Sequence, residues 1–252
     1  MTAKIALVTG ASRGLGKNIA LALAQKGIEV IITYNTQKEK AEEVVKEIRK
    51  LNRKADAMQF DISNIKAIGD FIERVKASLK NTWQAEKFDF LINNAGTGVK
   101  YPIAQATEED FDGLLNIHYK GVFFLTQKSL EILNDKGAIV FISSGTTRYC
   151  IPGHSIYASL KGAIEVFSRY VAKEFGNRGI RANVIAPGAI ETEFNGSEVK
   201  NNPKINSFLA SQTALGRVGL PDDIGGVAAF LCTDEARWIN AQRIEVSGGM
   251  FL

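Results

Sequence analysis

Ile5-Ala-Leu-Val-Thr-Gly-Ala-Ser-Arg-Gly-Leu-Gly16 is the stretch that decides the fold, because a short apolar run leads directly into a glycine-rich turn. A strand that feeds such a turn, with a helix behind it, aims backbone N–H groups and the helix dipole at a pyrophosphate. The spacing of Gly10, Gly14 and Gly16 is Gly-x-x-x-Gly-x-Gly, which differs from the general Gly-x-Gly-x-x-Gly fingerprint. The stretch predicts a dinucleotide-binding turn, and an ordinary tight strand-to-helix turn is the alternative.

Short apolar runs alternate with longer helical patterns along most of the chain, which is typical of an α/β fold with a parallel sheet covered by helices on both faces. A sheet of seven strands is predicted, at Ile5–Val8, Val30–Thr33, Ala55–Phe60, Phe88–Ile92, Ala138–Ile142, Arg181–Ile185 and Arg243–Val246. Helical patterns run over 41–51, over 108–133 with a break near Asn116, and over 155–175. The polar segment 195–212 predicts an inserted loop with weak helices, which we interpret as a lid over the substrate site.

The composition of the chain limits the classes of protein to which it can belong. The chain has 252 residues, 45% of them hydrophobic and 23% charged, without a compositional break, so a single domain over 1–252 is predicted. The net charge of +4 is scattered, which argues against a nucleic-acid partner. With two cysteines and two histidines, neither a disulfide framework nor a metal site is expected. The first apolar run follows Met1 too closely for a leader, and no run is long enough for a membrane span, so a cytoplasmic protein is predicted.

The end of the second strand bears on the type of dinucleotide. An NAD site usually places an acid about 20 residues after the glycines, whereas a 2′-phosphate needs a cation. The segment Thr33-Tyr34-Asn35-Thr36 contains no acid, and Arg13 and Lys38 lie where either could reach a 2′-phosphate. NADP(H) is therefore predicted, with NAD(H) as the alternative and solvated surface charges as the competing interpretation. Asp61, after the third strand, fits a contact to adenine or a helix cap.

Tyr157-Ala-Ser-Leu-Lys161 places a phenol and an amine one helical turn apart, thirteen residues after Ser144. A carbonyl that accepts hydride develops negative charge on its oxygen and needs a proton donor and a hydrogen-bond donor there. Tyr157 and Ser144 can supply these groups, and an ammonium at Lys161 would favour the phenolate of Tyr157. Alternatively, Ser144 is a turn serine whose neighbour Ser143 could do the same local work.

With Asn93-Asn94-Ala95-Gly96 after the fourth strand, Asn116, and Pro187-Gly188 with Thr192 after the sixth, the chain resembles the short-chain dehydrogenase/reductase family from Ile5 to Met250. The resemblance implies a Rossmann-type doubly wound sheet and a homotetramer built partly through the two long helices. It also implies that Lys161 holds the nicotinamide ribose and that Asn116 anchors a water chain that restores the proton. A helix-interior asparagine that satisfies buried backbone is the alternative for Asn116.

The resemblance also extends the predicted cofactor site along the chain. Its members are Gly10, Ser12, Arg13, Gly14, Leu15, Gly16, Tyr34, Asn35, Lys38, Asp61, Ile62, Asn94, Ala95, Gly96, Tyr157, Lys161, Pro187, Gly188, Ile190 and Thr192.

Within that family the chain is most similar to the 3-oxoacyl-[acyl-carrier-protein] reductases, which use NADPH and dock an acidic carrier. Arg178 matches a basic docking position of that group, whereas Asp135 stands where those enzymes favour a cation, and Ser247 replaces their usual aspartate. An oxoacyl thioester is therefore the first expected substrate, and a free ketone, sugar or steroid-like alcohol is the second. A non-catalytic nucleotide-sensing module is the remaining alternative.

Overall fold

The computed structural model describes residues 3–252, and for Asn195 only the backbone. Within them, seven parallel strands form one sheet in the order β3-β2-β1-β4-β5-β6-β7. The strands are β1 Ile5–Val8, β2 Glu29–Tyr34, β3 Ala55–Gln59, β4 Phe88–Asn93, β5 Leu133–Ile142, β6 Arg181–Pro187 and β7 Arg243–Val246. The predicted α/β fold with a seven-stranded parallel sheet is confirmed.

The helices cover both faces of this sheet. They are α1 Gly14–Gln25, α2 Lys38–Lys50, α3 Ile68–Ser78, α4 Glu108–Leu115, α5 Gly121–Ser129, α6 Ser155–Glu174, α7 Glu198–Asn201, α8 Pro203–Ser211 and α9 Pro221–Leu231. One core packs α1, α2 and α9 on the first face, and a second core packs α3, α5 and α6 on the other. Because β1, β2 and β4 are buried along their whole length, their sequences are almost continuously apolar and carry no alternation.

The strand order places a crevice beside β1. The chain runs outward from β1 to β2 and β3 and then crosses back to β4 on the other side of β1. At such a switch point the loops after neighbouring strands separate, and ligands of open α/β sheets bind there, at the carboxyl ends of the strands.

The long helix predicted over 108–133 ends earlier than expected. A π turn over Asn116–Lys120 separates α4 from α5, which confirms the break near Asn116. The helix stops at Ser129, and β5 begins at Leu133 rather than Ala138, because Leu133 pairs with Phe88 of β4 before the register shifts. The apolar pattern of 130–133 therefore belongs to a turn and a strand.

The segment after β6 contains short helices, as its weak helical pattern predicts. Asn202 caps α8 by accepting hydrogen bonds from the backbone N–H groups of Lys204 and Ile205. The side chain of Asn195, in the predicted lid, lies outside the described residues. Across the described chain, no helix has the length and apolar character needed to cross a membrane.

Candidate active site

A cleft of about 800 Å³ opens at the carboxyl ends of the strands, where the crevice beside β1 was expected. The glycine turn and the loops after β4, β5 and β6 form its walls. Most of the predicted cofactor positions line it, namely Gly10, Ser12, Arg13, Gly14, Leu15, Gly16, Asn35, Asp61, Ile62, Asn94, Ala95, Gly96, Tyr157, Lys161, Pro187, Gly188, Ile190 and Thr192. Tyr34 and Lys38 are the exceptions among them.

The glycine turn has no room for side chains. Gly10 has a φ of +63°, and a Cβ there would lie 2.8 Å from the Cα of Ala95. A Cβ on Gly16 would collide with the carbonyl oxygen of Gly10. The first turn of α1 has neither a side-chain cap nor an acid, so its N–H groups face the cleft without a local anion. This cradle fits the pyrophosphate of a dinucleotide.

The Asn94-Ala95 turn fixes the glycine turn from the side of β4. The Asn94 amide donates to the carbonyl oxygens of Thr9 and Gly10 at 2.8 and 3.0 Å. The Thr9 hydroxyl oxygen accepts the backbone N–H groups of Asn94 and Ala95, each at 3.0 Å. These four hydrogen bonds therefore join the two turns into one unit.

The basic residues that meet near the glycine turn are not the pair predicted to bind a 2′-phosphate. Arg13 contacts the carboxylate of Glu193 at 2.5 Å, and Lys40 contacts the same carboxylate at 3.1 Å. Hydrogen bonds from Arg13, and then from Lys40, hold the pKa of Glu193 below its ordinary value. Lys38 instead begins α2, is 64% exposed at its side chain and pairs with Glu42 at 3.8 Å. Lys38 does not line the cleft, and its contact with a cofactor stays a prediction. Lys40 does not line the cleft either, but it reaches Glu193, which does.

Two other predicted cofactor residues, Tyr34 and Asp61, differ in their position relative to the cleft. Tyr34 is buried as the last residue of β2 and is not among the residues that line the cleft, so its contact with a cofactor stays a prediction. Asp61 does line the cleft, and its carboxylate accepts the backbone N–H and the hydroxyl of Ser63 at 2.9 and 2.7 Å. Asp61 therefore stabilises the turn that precedes Ile65, whereas the N-cap position of the helical turn at Ile65 belongs to Asn64.

Tyr157, Lys161 and Ser144 meet on one wall of the cleft. Tyr157 and Lys161 lie one turn apart on α6, and the Lys161 Nζ atom is 5.6 Å from the centre of the Tyr157 ring. Thr146 donates two hydrogen bonds to the Ser144 Oγ, which leaves the Ser144 hydroxyl hydrogen to point elsewhere. The hydroxyl of Ser143 instead donates to Glu165 at 2.7 Å. Ser144 is therefore the serine available beside Tyr157.

The protonation states of Tyr157 and Lys161 follow from their surroundings. Burial raises the pKa of Tyr157 to about 12, although a hydrogen bond with Ser144 opposes the shift. Burial lowers the pKa of Lys161 to about 8, and its Nζ donates to the carbonyl oxygen of Ile142 at 2.8 Å. Desolvation outweighs any attraction to Lys161 in the protein alone, so Tyr157 is a neutral phenol there. Such a group is suited to donate a proton to a carbonyl.

Asn116 is not among the residues that line the cleft. It opens the π turn, and its carbonyl oxygen accepts the backbone N–H of Gly121. The structure therefore does not bring this predicted residue to the catalytic group. His118, two residues later, lines the cleft and is fully buried, with its ring edge-to-face against Tyr157 at 5.0 Å. The sequence did not predict that His118 contacts Tyr157, because the π turn changes which side chains of this helical segment face the cleft.

The sequence does contain a signal for His118. It lies four residues after Leu114 and four before Val122, both buried, so it occupies a core position of the helical pattern. A histidine at such a position needs a polar partner. Glu193 and Lys40 gave no comparable signal, because their contact spans 153 residues of sequence.

The other end of the cleft is apolar and aromatic. The rings of Tyr149 and Phe251 are tilted by 56° with their centres 4.8 Å apart, and the ring centre of Phe194 lies 6.2 Å from that of Tyr157. Helix α8 contributes Phe208 and Leu209 to the same wall. Aromatic side chains therefore provide much of the apolar surface at this end of the cleft.

Comparisons with known proteins agree with this geometry. A family model described as Enoyl-(Acyl carrier protein) reductase matches residues 10–251. Hydroxynaphthalene reductase-like protein Arp2 of Metarhizium brunneum (strain ARSEF 3297) is 36% identical over 260 residues, which cover 99% of this chain and 95% of that relative.

Two solved structures superpose closely on the chain. The promiscuous reductase LugOII, which catalyses keto-reduction at C1 during lugdunomycin biosynthesis, has a TM-score of 0.94 and 33% identity, covering 100% of this chain and 99% of the other. The angucycline C-6 ketoreductase LanV with bound NADP has a TM-score of 0.93 and 34% identity. The match covers 98% of this chain and 95% of LanV. With the glycine turn and the Ser144, Tyr157 and Lys161 group in place, the chain belongs to the short-chain dehydrogenase/reductase family.

Proposed function

We propose that this protein is an NADP(H)-dependent carbonyl reductase whose substrate is a free polycyclic or aromatic ketone. The single observation that carries the proposal is the phenol of Tyr157, which lines the cleft between the glycine cradle and an aromatic wall and whose raised pKa keeps it neutral. The relatives described as a hydroxynaphthalene reductase-like protein and an angucycline ketoreductase support the aromatic class of substrate.

Each catalytic side chain has a distinct task in this proposal. NADPH supplies the hydride when it is bound. Ser144 donates a hydrogen bond to the carbonyl oxygen, and Tyr157 gives that oxygen its proton as negative charge develops. Lys161 donates a hydrogen bond to the carbonyl oxygen of Ile142 and lies beside Tyr157. At a pH below about 8, the pKa of Lys161, its side chain is a charged ammonium. Asn116, which the resemblance assigned to the proton relay, has no task here.

The contacts of Arg178 weaken the first expected substrate, an oxoacyl chain on a carrier protein. Its guanidinium pairs with Asp135 at 2.7 Å and donates to the carbonyl oxygens of Leu130 and Leu133. Because the N–H groups of Arg178 already bind three partners in its own chain, fewer of them are available to bind an acidic carrier protein. We therefore rank the free ketone above the oxoacyl thioester.

Substrate competition tests this ranking. We expect kcat/KM for a bicyclic aromatic ketone to exceed that for an acetoacetyl thioester on acyl carrier protein by about tenfold or more, a difference worth about 1.4 kcal/mol. Arg178→Ala should lower activity on both substrates by the same factor, if at all. A preference for the carrier-bound substrate that Arg178→Ala removes would restore the oxoacyl assignment. NADPH that binds but is not consumed with any ketone would favour the nucleotide-sensing alternative.

The cofactor proposal rests on Arg13 and Lys40, which would transfer from Glu193 to a 2′-phosphate. Because both side chains are about half exposed, we expect Arg13→Ala and Lys40→Ala each to raise KM for NADPH by roughly tenfold and KM for NADH by less than about twofold. Lys38→Ala is the matched control, since Lys38 pairs with Glu42 on its own helix and does not line the cleft. Equal effects on the two cofactors, or a larger effect of Lys38→Ala, would contradict the assignment.

We also propose the assembly, location and lid that the sequence predicts. Val166 and Tyr170 are 45% and 62% exposed on α6, which supports a homotetramer contact along that helix. The free thiols of Cys150 and Cys232 support a reducing, cytoplasmic setting. Helices α7 and α8 border the aromatic end of the cleft, which supports a lid within a single domain.

A further inference from the structure

Glu165 is a carboxylate beside the catalytic group that has no task in the proposed reduction. It lies on α6, one helical turn after Lys161 and about two turns after Tyr157, on the same side of the helix. Its side chain is 14% exposed, and it is not among the residues that line the cleft. An effect of Glu165 on the reaction would therefore act through the residues that it contacts.

One oxygen of Glu165 accepts three hydrogen bonds from two other parts of the chain. Its Oε1 atom lies 2.7 Å from the hydroxyl of Ser143, 2.9 Å from the hydroxyl of Thr147 and 2.9 Å from the Nε of Arg243. Ser143 and Thr147 belong to the loop that carries Ser144 after β5, and Arg243 begins β7. Hydrogen bonds to a charged acceptor are stronger than those between neutral groups. The carboxylate therefore joins this loop and β7 to α6.

The contacts of Glu165 hold the chain on both sides of Ser144. Ser143 is the residue before Ser144, and Thr147 follows a few positions later in the same loop. The hydroxyl of Thr147 also lies 3.0 Å from the carbonyl oxygen of Ser144 itself. Since α6 carries both Glu165 and Tyr157, these contacts set where the backbone of Ser144 lies relative to the phenol.

The direction of the Ser144 hydroxyl decides how well it serves the carbonyl oxygen. A hydrogen-bond donor contributes only when it points at that oxygen, and a displacement of about 1 Å can lower a rate about 100-fold. The hydrogen bonds from Thr146 to the Ser144 Oγ act within the loop and do not connect it to α6. We infer that Glu165 is a positioning residue, which holds the Ser144 hydroxyl at the distance and angle that its work beside Tyr157 requires. This inference rests on the proposed carbonyl reduction.

A double-mutant cycle between Glu165 and Ser144 tests the inference. The measured quantity is the rate constant of hydride transfer in a single turnover with saturating NADPH and an aromatic ketone, because product release does not limit it. We expect Glu165→Ala to lower this rate constant about 10–100-fold, with a change of less than about threefold in the Kd for NADPH. In a Ser144→Ala background the same substitution should lower it by less than about twofold, because no hydroxyl is left to misplace. Glu165→Gln keeps an acceptor oxygen and should lie between Glu165→Ala and the wild type.

Asp89→Asn is the matched control for Glu165→Gln. Asp89 is also a buried carboxylate with three donors, which are Lys4 at 2.9 Å, the backbone N–H of Ile5 at 2.8 Å and Asn134 at 3.0 Å. It lies near the start of β4, at the end of the sheet opposite the cleft. We expect Asp89→Asn to lower the Tm and to leave the rate constant of hydride transfer within about twofold of the wild type.

Equal losses from Glu165→Ala with and without the Ser144 hydroxyl would show a general effect on the protein and would overturn the inference. A wild-type rate constant in Glu165→Ala would overturn it too, and so would a loss in Asp89→Asn as large as in Glu165→Gln. If circular dichroism shows that Glu165→Ala does not fold, the cycle is measured with Glu165→Gln, where we expect a loss of about 3–10-fold that Ser144→Ala removes. Wild-type activity of Glu165→Gln would then overturn the inference. A wild type that reduces no ketone would remove the proposed function and this inference together, whereas the other outcomes leave the function intact.

Discussion

Tyr157→Phe should lower kcat for ketone reduction by about 10²–10⁴-fold, the usual contribution of a positioned proton donor. The phenol is the group that can donate to the carbonyl oxygen in the cleft, because burial holds its pKa at about 12 and therefore keeps it protonated. The variant removes one oxygen and leaves the packing against His118 and Phe194 in place. The measurement is kcat with saturating NADPH and an aromatic ketone.

Binding separates a chemical loss from a structural one. The Kd for NADPH, measured by quenching of its fluorescence, should change by less than about threefold in Tyr157→Phe, since only one hydroxyl is lost. Tyr170→Phe is the matched control, because Tyr170 lies on the same helix, 62% exposed. A Tyr157→Phe enzyme with wild-type kcat would contradict the assignment, and so would an equal loss in Tyr170→Phe.

Lys161→Met should lower kcat about 10²-fold and change how activity depends on pH. In the wild type, burial lowers the pKa of Lys161 to about 8, so the ammonium is present below that pH and is lost above it. Reduction should therefore be nearly constant from pH 6 to 7 and decline as the pH rises through about 8. Tyr157, with a pKa of about 12, does not titrate in this range. In Lys161→Met the decline near pH 8 should disappear.

Lys173→Met, on the exposed side of the same helix, controls for the loss of a positive charge on α6. It should keep the wild-type pH profile. A Lys161→Met enzyme that keeps the decline near pH 8 would show that another group titrates there. Circular dichroism of both variants should show an unchanged fold, which excludes general unfolding as the cause.

The sheet and its order of elements follow from local patterns, which is why they could be predicted. Strands such as β1 and β4 are buried on both faces, so they need runs of apolar residues, and such runs are visible in one stretch of sequence. Gly10 and Gly16 could also be predicted locally, because a side chain at either position would clash with neighbouring backbone, which requires glycine there. The end of the helix at Ser129 was missed, since apolar residues in a turn and in a strand continued the helical pattern.

The other differences between the predicted site and the structure arise from contacts between side chains that are far apart in the sequence. Arg13 and Glu193 are 180 positions apart, and no local pattern pairs them. Arg178 matches a docking position in sequence, yet its charge is directed at Asp135, 43 positions away. The spacing of His118 from Leu114 and Val122 indicates a buried position, but it does not indicate contact with Tyr157, which lies on another helix.

Transfer of isotope from cofactor to product tests the central claim most directly. The wild-type protein is incubated with a bicyclic aromatic ketone and NADPH that carries deuterium at its transferable position, and the product is analysed by mass spectrometry. The account predicts a secondary alcohol with one deuterium on the former carbonyl carbon, and no such product from Tyr157→Phe on the same timescale. Bound NADPH that gives no deuterated alcohol with any ketone, or a Tyr157→Phe protein that forms it at the wild-type rate, would contradict the account.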